Sequence, residues 1–324
     1  MLDIHNSAAS LYLLASIASP LILIILAPLF SGVVTKFRAK LEARKGASIF
    51  QPYYDLRKLL SKDVILPETS SWIFRVFPYL AVAVTVSLCA LIPVFSSFSI
   101  FSYFSDLIFI FALFVIVAFF MVLSSVDAGT SFAGLGSSRE AFNIALVEPV
   151  ILLIILSLSI EFGTSNLFSI VRESIHGFEL VSHPSSFFIA LAFLIVILVE
   201  AKRFPVDNPS THLELTMIHE ALLLEYSGKY LALMEYASML KFTVLSSLFF
   251  SLFFSYGMVD EITPLNFAIS ILVWLLKMVV FAFVIALFEK STAKLRLFRV
   301  PELLSFALVL ALIAVFAHFY IETW

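Results

Sequence analysis

Residues 187–254 read FFIALAFLIVILV (187–199), then EAKRFPVDNPSTHLELTMIHEALLLEY (200–226), then SGKYLALMEYASMLKFTVLSSLFFSLFF (227–254). The middle stretch holds Glu200, Glu214, Glu220, Glu225, Asp207, His212, His219, Lys202 and Arg203; the flank before it is purely apolar and the flank after it is mostly apolar. A spanning helix needs about 20 predominantly apolar residues, because every backbone polar group in lipid must be satisfied within the segment. Apolar, charged, apolar is therefore the pattern of a chain that leaves a bilayer, folds on its surface and re-enters.

The rest of the chain repeats that pattern. Of 324 residues, 61% are hydrophobic and 13% charged, with a mean hydropathy of +1.07. Soluble domains carry about 25% charged residues. The fold class is all-α polytopic membrane protein, a single transmembrane domain over 1–324. About eight spans are expected, at 9–34, 72–95, 105–127, 140–162, 184–200, 231–256, 265–289 and 302–321. The opening MLDIHNSAASLYLL lacks the basic flank and small-residue cleavage site of a secretory signal, so the first run reads as a retained helix.

Charge orients the spans. The loops 36–70, 128–139, 201–230 and 290–300 hold sixteen lysines and arginines, and the opposite loops hold Arg172 alone. The positive-inside rule then puts the opening stretch on the cytoplasmic side and both termini outside it. The single cysteine, Cys89, excludes an intrachain disulfide and a thiolate-bound cluster.

Within 200–226, Arg203-Phe204-Pro205 is expected to end the fifth span, because proline disfavours helix in the residue before it. Asn208 as N-cap and Pro209 at the first helical position restart a helix running to about Tyr226. On it, Glu214 and Glu225 fall about 20° apart, and His212 and His219 are similarly aligned. This is the expected cytoplasmic amphipathic helix between spans five and six. Glu200, Glu235 and Glu148 lie at the end of, or inside, apolar runs, where ionisable groups usually face a cavity or pathway. Lys241 and Lys277 are also within spans. Asp127, Glu140 and Glu289 are expected at the membrane interface. Carboxylates at differing depths can pass protons along.

These residues resemble subunit 1 of the respiratory NADH:quinone oxidoreductase (complex I). The family's glutamate–x–x–arginine–x–proline–x–aspartate pattern is matched by Glu200, Arg203, Pro205 and Asp207. Its acidic segment and glutamate–tyrosine pairs are matched by Glu214, Glu225-Tyr226 and Glu235-Tyr236. The loop RKGASIFQPYYDLRKLLSKD (44–63) is similar at Arg44, Gly46, Gln51, Pro52, Asp55, Lys58 and Leu59, and GLGSSREAFNIALVEP (134–149) places Glu148 on the helix that carries a buried glutamate in the family. The short Gly46–Gln51 segment and the sequence VDNPSTHLELTMIHEALLLEYSG look instead like the equivalent subunit of group 4 membrane-bound nickel–iron hydrogenases and formate hydrogenlyases, so quinone binding is not carried over.

That resemblance implies a membrane anchor and coupling subunit with no catalytic residue and no metal or cofactor of its own. The NiFe centre and 4Fe-4S clusters belong to hydrogenase large and small subunits and a ferredoxin-like iron–sulfur subunit docked on the cytoplasmic face of a prokaryotic membrane, with antiporter-like subunits beside it in the lipid bilayer. It implies docking by Arg44, Gln51, Asp55, Lys58, Arg203, His212 and His219. It implies proton relay or coupling by Glu148, Glu200, Asp207, Glu214, Glu220, Glu225, Glu235 and Lys241. Electrons come from ferredoxin or formate, and the moved ion is a proton or sodium.

Other readings stay open: a quinone-site subunit of complex I, a subunit of a related sulfur-reducing complex, and a stand-alone secondary transporter, for which matching broken helices in the two halves are not found. His219-Glu220 lacks the second histidine of a zinc-protease helix. Nothing in the chain points to nucleic acid.

Overall fold

The computed structural model describes residues 2–176, 184–203, 206–207, 218–292 and 299–322. Pro205, Asn208, Pro209, His212 and Glu214 lie outside them. Among the described residues the chain is helical with no strand beyond two isolated bridges, Ser96–Val259 and Asp106–Asn166.

The helices are α1 (Leu2–Leu41), α2 (Gln51–Leu60), α3 (Trp72–Leu91), α4 (Leu107–Asp127), α5 (Ser131–Phe162), α6 (Leu167–His176), α7 (Pro184–Glu200), α8 (His219–Leu223), α9 (Gly228–Phe253), α10 (Pro264–Ser291) and α11 (Val300–Ala317). Seven of them, α1, α3, α4, α5, α9, α10 and the last helix through Tyr320, are long and apolar enough to cross a bilayer. The expected fifth span is α7, whose 17 residues reach about 25 Å at a rise of ~1.5 Å each. It is apolar all round because it is enclosed by α5, α9 and α11.

Local chemistry sets the helix starts. Ser71, Asp106, Thr130 and Thr263 accept backbone N–H bonds from Ile73, Ile108, Ala133 and Asn266, and Pro264 follows Thr263 at the first helical position. Asp127, at the end of α4, accepts the N–H of Ser71 at 2.8 Å and of Phe74 at 3.3 Å, so it ties α4 to the first turn of α3.

Three expectations are corrected. The segment 128–139 is not a loop: α5 begins at Ser131, so Arg139 is helical. Gly129, at φ 70°, makes the turn ahead of α5, and Gly136 serves packing. A Cβ on Gly136 would come within 2.9 Å of the Ala221 Cβ, so only glycine lets α8 lie against α5. The amphipathic helix does not run to Tyr226, because α8 stops at Leu223. The first cytoplasmic stretch also contains a helix, α2, against α1 and α9.

α9 is the axial helix. In its most apolar window 72% is buried, against 33–39% in the other six spans. It packs on α1, α2, α3, α6, α7 and α10. An all-round buried helix accommodates ionisable groups only where partners meet them, and α9 carries Glu235 and Lys241.

Candidate functional site

The site forms where α7 ends and the chain turns. Lys202 N–H donates to the Val199 carbonyl at 3.1 Å and Arg203 N–H to the Leu198 carbonyl at 2.9 Å. This bond pair is a Schellman stop, which requires a left-handed residue, normally glycine. Here that residue is Lys202, at φ 52°. So α7 terminates through this turn, ahead of Pro205. The turn sends three charged groups within four residues, Glu200, Lys202 and Arg203, in different directions, and each meets a partner from another helix.

Glu200 accepts from Lys241 of α9 at 2.5 Å. Lys202 reaches Glu140 of α5 at 2.9 Å and His219 Nδ1 of α8 at 3.2 Å. Arg203 lies 3.5 Å from Glu289 of α10 and its guanidinium sits 4.6 Å over the Phe242 ring of α9. Arg38 of α1 approaches the same Glu289 at 3.8 Å. The side chain of Glu289 is 1% exposed and that of Glu140 9%. One turn thus ties five helices and α8 together through charges held away from water.

Asp207 completes the scaffold. It is buried, and its carboxylate accepts the backbone N–H of Ile218 at 3.3 Å and of His219 at 2.9 Å. It fixes the start of α8 across the intervening chain. The His219 imidazole is pushed well below its ordinary pKa by burial, then by the Lys202, Lys241 and Arg203 cations around it. It is therefore neutral at physiological pH, and its Nδ1 is free to accept from Lys202. Tyr226, stacked on Phe74 with ring centroids 4.0 Å apart, has its hydroxyl pKa raised by burial.

Two cavities flank the Lys202–His219 contact. One, of about 230 Å³, is lined by Ser31, Thr35 and Arg38 of α1, Arg203, His219 and Glu220, and by Glu235, Ser238 and Phe242 of α9. The other, of about 50 Å³, is lined by Glu140, Glu200, Lys241, Thr85 and apolar residues of α3, α4 and α9. Ala201, Lys202, His219 and Ser238 border both. Carboxylates therefore stand on both sides of a cationic partition.

The structure gathers Glu200, Asp207, Glu220, Glu235, Lys241, Arg203 and His219 into this region. Glu225 is half-buried between α8 and α9, and Glu148 is half-buried in α5; neither takes part in the ion pairs just described. Arg44 pairs with Glu42 at 3.5 Å on the surface, Gln51 donates to Asp55 at 2.8 Å within α2, and Lys58 is exposed. Glu140 and Glu289, expected at the interface, are instead buried in protein. With Lys202 and Arg38 they are the members of the network that sequence reasoning missed. The signal was there: buried acids require cations, and basic residues close to span ends supply them.

A bundle of apolar spans whose one end encloses paired charges and two polar-lined cavities defines a polytopic membrane protein with an ionisable interior. The chain belongs to the NADH dehydrogenase family, whose sequence model matches residues 14–319. It is 32% identical to formate hydrogenlyase subunit 4 of Escherichia coli K12 over 87% of this chain and 91% of that protein. It is 32% identical to hydrogenase-4 component C of the same organism over 86% of each. Against an NADH-quinone oxidoreductase subunit of Paraburkholderia xenovorans LB400 the identity is 27% over 70% of each. A chain in the solved structure of the membrane-bound sulfane sulfur reductase, an archaeal respiratory membrane complex, has the same fold: TM-score 0.80 over 94% of this chain and 98% of that one, at 19% identity. Among the described residues, no group of three or more His, Cys, Asp or Glu side chains is placed to hold a metal ion.

Proposed function

We propose that this chain is the membrane anchor and coupling subunit of a multisubunit respiratory hydrogenase complex of the formate hydrogenlyase and hydrogenase-4 kind. The observation that carries the proposal is the partitioned charge network, with Glu220 and Glu235 on one cavity and Glu140, Glu200 and Lys241 on the other. Two unit charges about 4 Å apart interact by roughly 4 kcal/mol at an effective dielectric of about 20. A charge added or removed near Glu220 therefore changes which neighbouring pairs are favoured. Lys202 can lean toward Glu140 or His219, and Lys241 answers to Glu200. Proton uptake on one side is transmitted across the partition by exchange of partners.

In this reading the NiFe centre and 4Fe-4S clusters sit in partner chains that dock on the cytoplasmic face, over Arg44, Gln51, Asp55, Lys58 and the loop 200–226. Reduction of protons there, with electrons from ferredoxin or formate, supplies the charge change. Antiporter-like membrane subunits move the proton or sodium ion. The positive loops orient the chain with both termini outside the cytoplasm, and its 324 residues act as one transmembrane domain.

The test is purification of this chain from membranes in mild detergent, with nickel and iron analysis and a hydrogen-evolution assay from reduced ferredoxin. Co-purifying nickel, iron and activity support the reading. Iron without nickel assigns the chain to a quinone- or sulfur-reducing complex instead. A lone chain without metal overturns the proposal in favour of a transporter.

A further inference from the structure

The tyrosines of the two glutamate–tyrosine pairs meet two of the four places where a proline lies inside a span, those at Pro28 and Pro78. Proline has no N–H, so in a helix it leaves the carbonyl four residues earlier without its bond, and in lipid that carbonyl finds no water. Pro28 lies inside α1 and orphans the Ile24 carbonyl; Pro78 lies inside α3 and orphans the Phe74 carbonyl. The Tyr236 hydroxyl donates to the Ile24 carbonyl at 2.9 Å. The Tyr226 hydroxyl donates to the Phe74 carbonyl at 3.3 Å. On α1 the adjacent carbonyl, Ile25, takes a third hydroxyl, that of Tyr53 from α2, at 2.5 Å.

We propose that Tyr226 and Tyr236 are positioning residues: each hydroxyl fills the hydrogen bond that a proline deletes from another span, and thereby sets the glutamate that precedes it against that span. Tyr236 ties the first half of α9 to α1, so Glu235 is held on the cavity whose opposite wall is Ser31, Thr35 and Arg38 of α1. Tyr226 ties the segment after α8 to α3, fixing the approach of Glu225. The ring stack of Tyr226 on Phe74 makes the second contact redundant in packing but not in direction, since stacking alone permits sliding. The significance of this for ion movement rests on the coupling role proposed above; the positioning itself does not.

The experiment separates the two. In the complex purified with its own partners, carbodiimide labelling of Glu235 and Glu225 is quantified by peptide mass spectrometry in wild type, Tyr236→Phe, Tyr226→Phe and Pro28→Ala/Tyr236→Phe. Phenylalanine keeps the ring and removes only the donor. Tyr236→Phe should raise Glu235 labelling at least about threefold while leaving Glu225 within about twofold, and Tyr226→Phe should do the reverse. Restoring the backbone N–H through Pro28→Ala should recover the assembly or stability lost with the hydroxyl, because the Ile24 carbonyl then bonds within α1, but should leave Glu235 labelling raised, because the tie from α9 to α1 is not remade. Should Tyr236→Phe fail to assemble, the double variant must assemble. Labelling indifferent to the hydroxyls, or returned to the wild-type level by Pro28→Ala without the tyrosine, overturns the proposal. The expected labelling alongside unaffected ion transport upholds the positioning role and overturns the coupling reading.

Discussion

Glu289 has Arg203 and Arg38 within 4 Å and almost no contact with solvent. Removing its charge leaves two guanidinium groups facing each other in a low-dielectric site. Breaking a buried pair from one side costs about 3–5 kcal/mol, so Glu289→Gln should lower the thermal stability of the detergent-solubilised complex by that order. Lys58→Ala, on the exposed face of α2, should stay within about 0.5 kcal/mol. His219 gives a pH test. Its native pKa lies well below the ordinary value of 6.5. In the undocked loop it protonates as pH falls through about 6.5, whereas the native site refuses the proton. Docking of α8 is therefore fully stable above that value and weakens as pH falls below it. Hydrogen exchange of residues 218–227 should show less protection at pH 5.5 than at pH 7.5, and His219→Gln should abolish the difference. From sequence, Glu200, Glu235 and Lys241 stand out because they interrupt apolar runs. Glu140 and Glu289 sit close to loops, where exposure is the ordinary expectation, and only the arrangement of helices shows that other spans cover them.

At the scale of elements, the stop of α7 and the stop of α1 are built alike. Both use a non-glycine residue in left-handed conformation, Lys202 at φ 52° and Ala43 at φ 56°, and at Ala43 the same two carbonyl bonds close the turn. Such a residue costs roughly 1–2 kcal/mol relative to glycine. Ala43→Gly should therefore stabilise the complex by about 1 kcal/mol. Lys202→Gly gains the same backbone relief but strands buried Glu140, for a net loss of about 2–4 kcal/mol that Glu140→Gln in the same chain should largely recover. Thermal inactivation of the three variants checks both signs. Helix positions are legible to within a few residues wherever an apolar run meets a capping side chain, as at Ser71 and Thr263. The start of α5 is not, because Gly134 and Gly136 read as turn residues while Gly136 makes room for Ala221. Sequence places the end of the fifth span at residue 200, where α7 does end, but credits the stop to Arg203-Phe204-Pro205, whereas the turn that closes it uses a left-handed lysine that no propensity scale places there.

For the whole molecule, burial of α9 explains why the charges lie where they do. Helices that alternate direction bring the ends of α1, α7 and α10 and the beginnings of α5 and α9 to one side of the bundle, and the turn at 201–203 stitches them together. The opposite side has no comparable network of buried ion pairs among the described residues; there, Lys277 donates to the Phe254 carbonyl at 2.6 Å and closes the end of α9. This asymmetry places charge handling next to the face on which peripheral subunits are proposed to dock. The spans follow from hydropathy, but the partition between two cavities emerges only when five helices are assembled. The most direct measurement of the central claim is the number of ions moved per hydrogen formed, in sealed vesicles containing the complex with wild-type chain or with Glu200→Gln. The account predicts that the ratio falls at least about fivefold, because Lys241 then has no carboxylate to answer and charge transfer across the partition stops. An unchanged ratio at comparable assembly would contradict it.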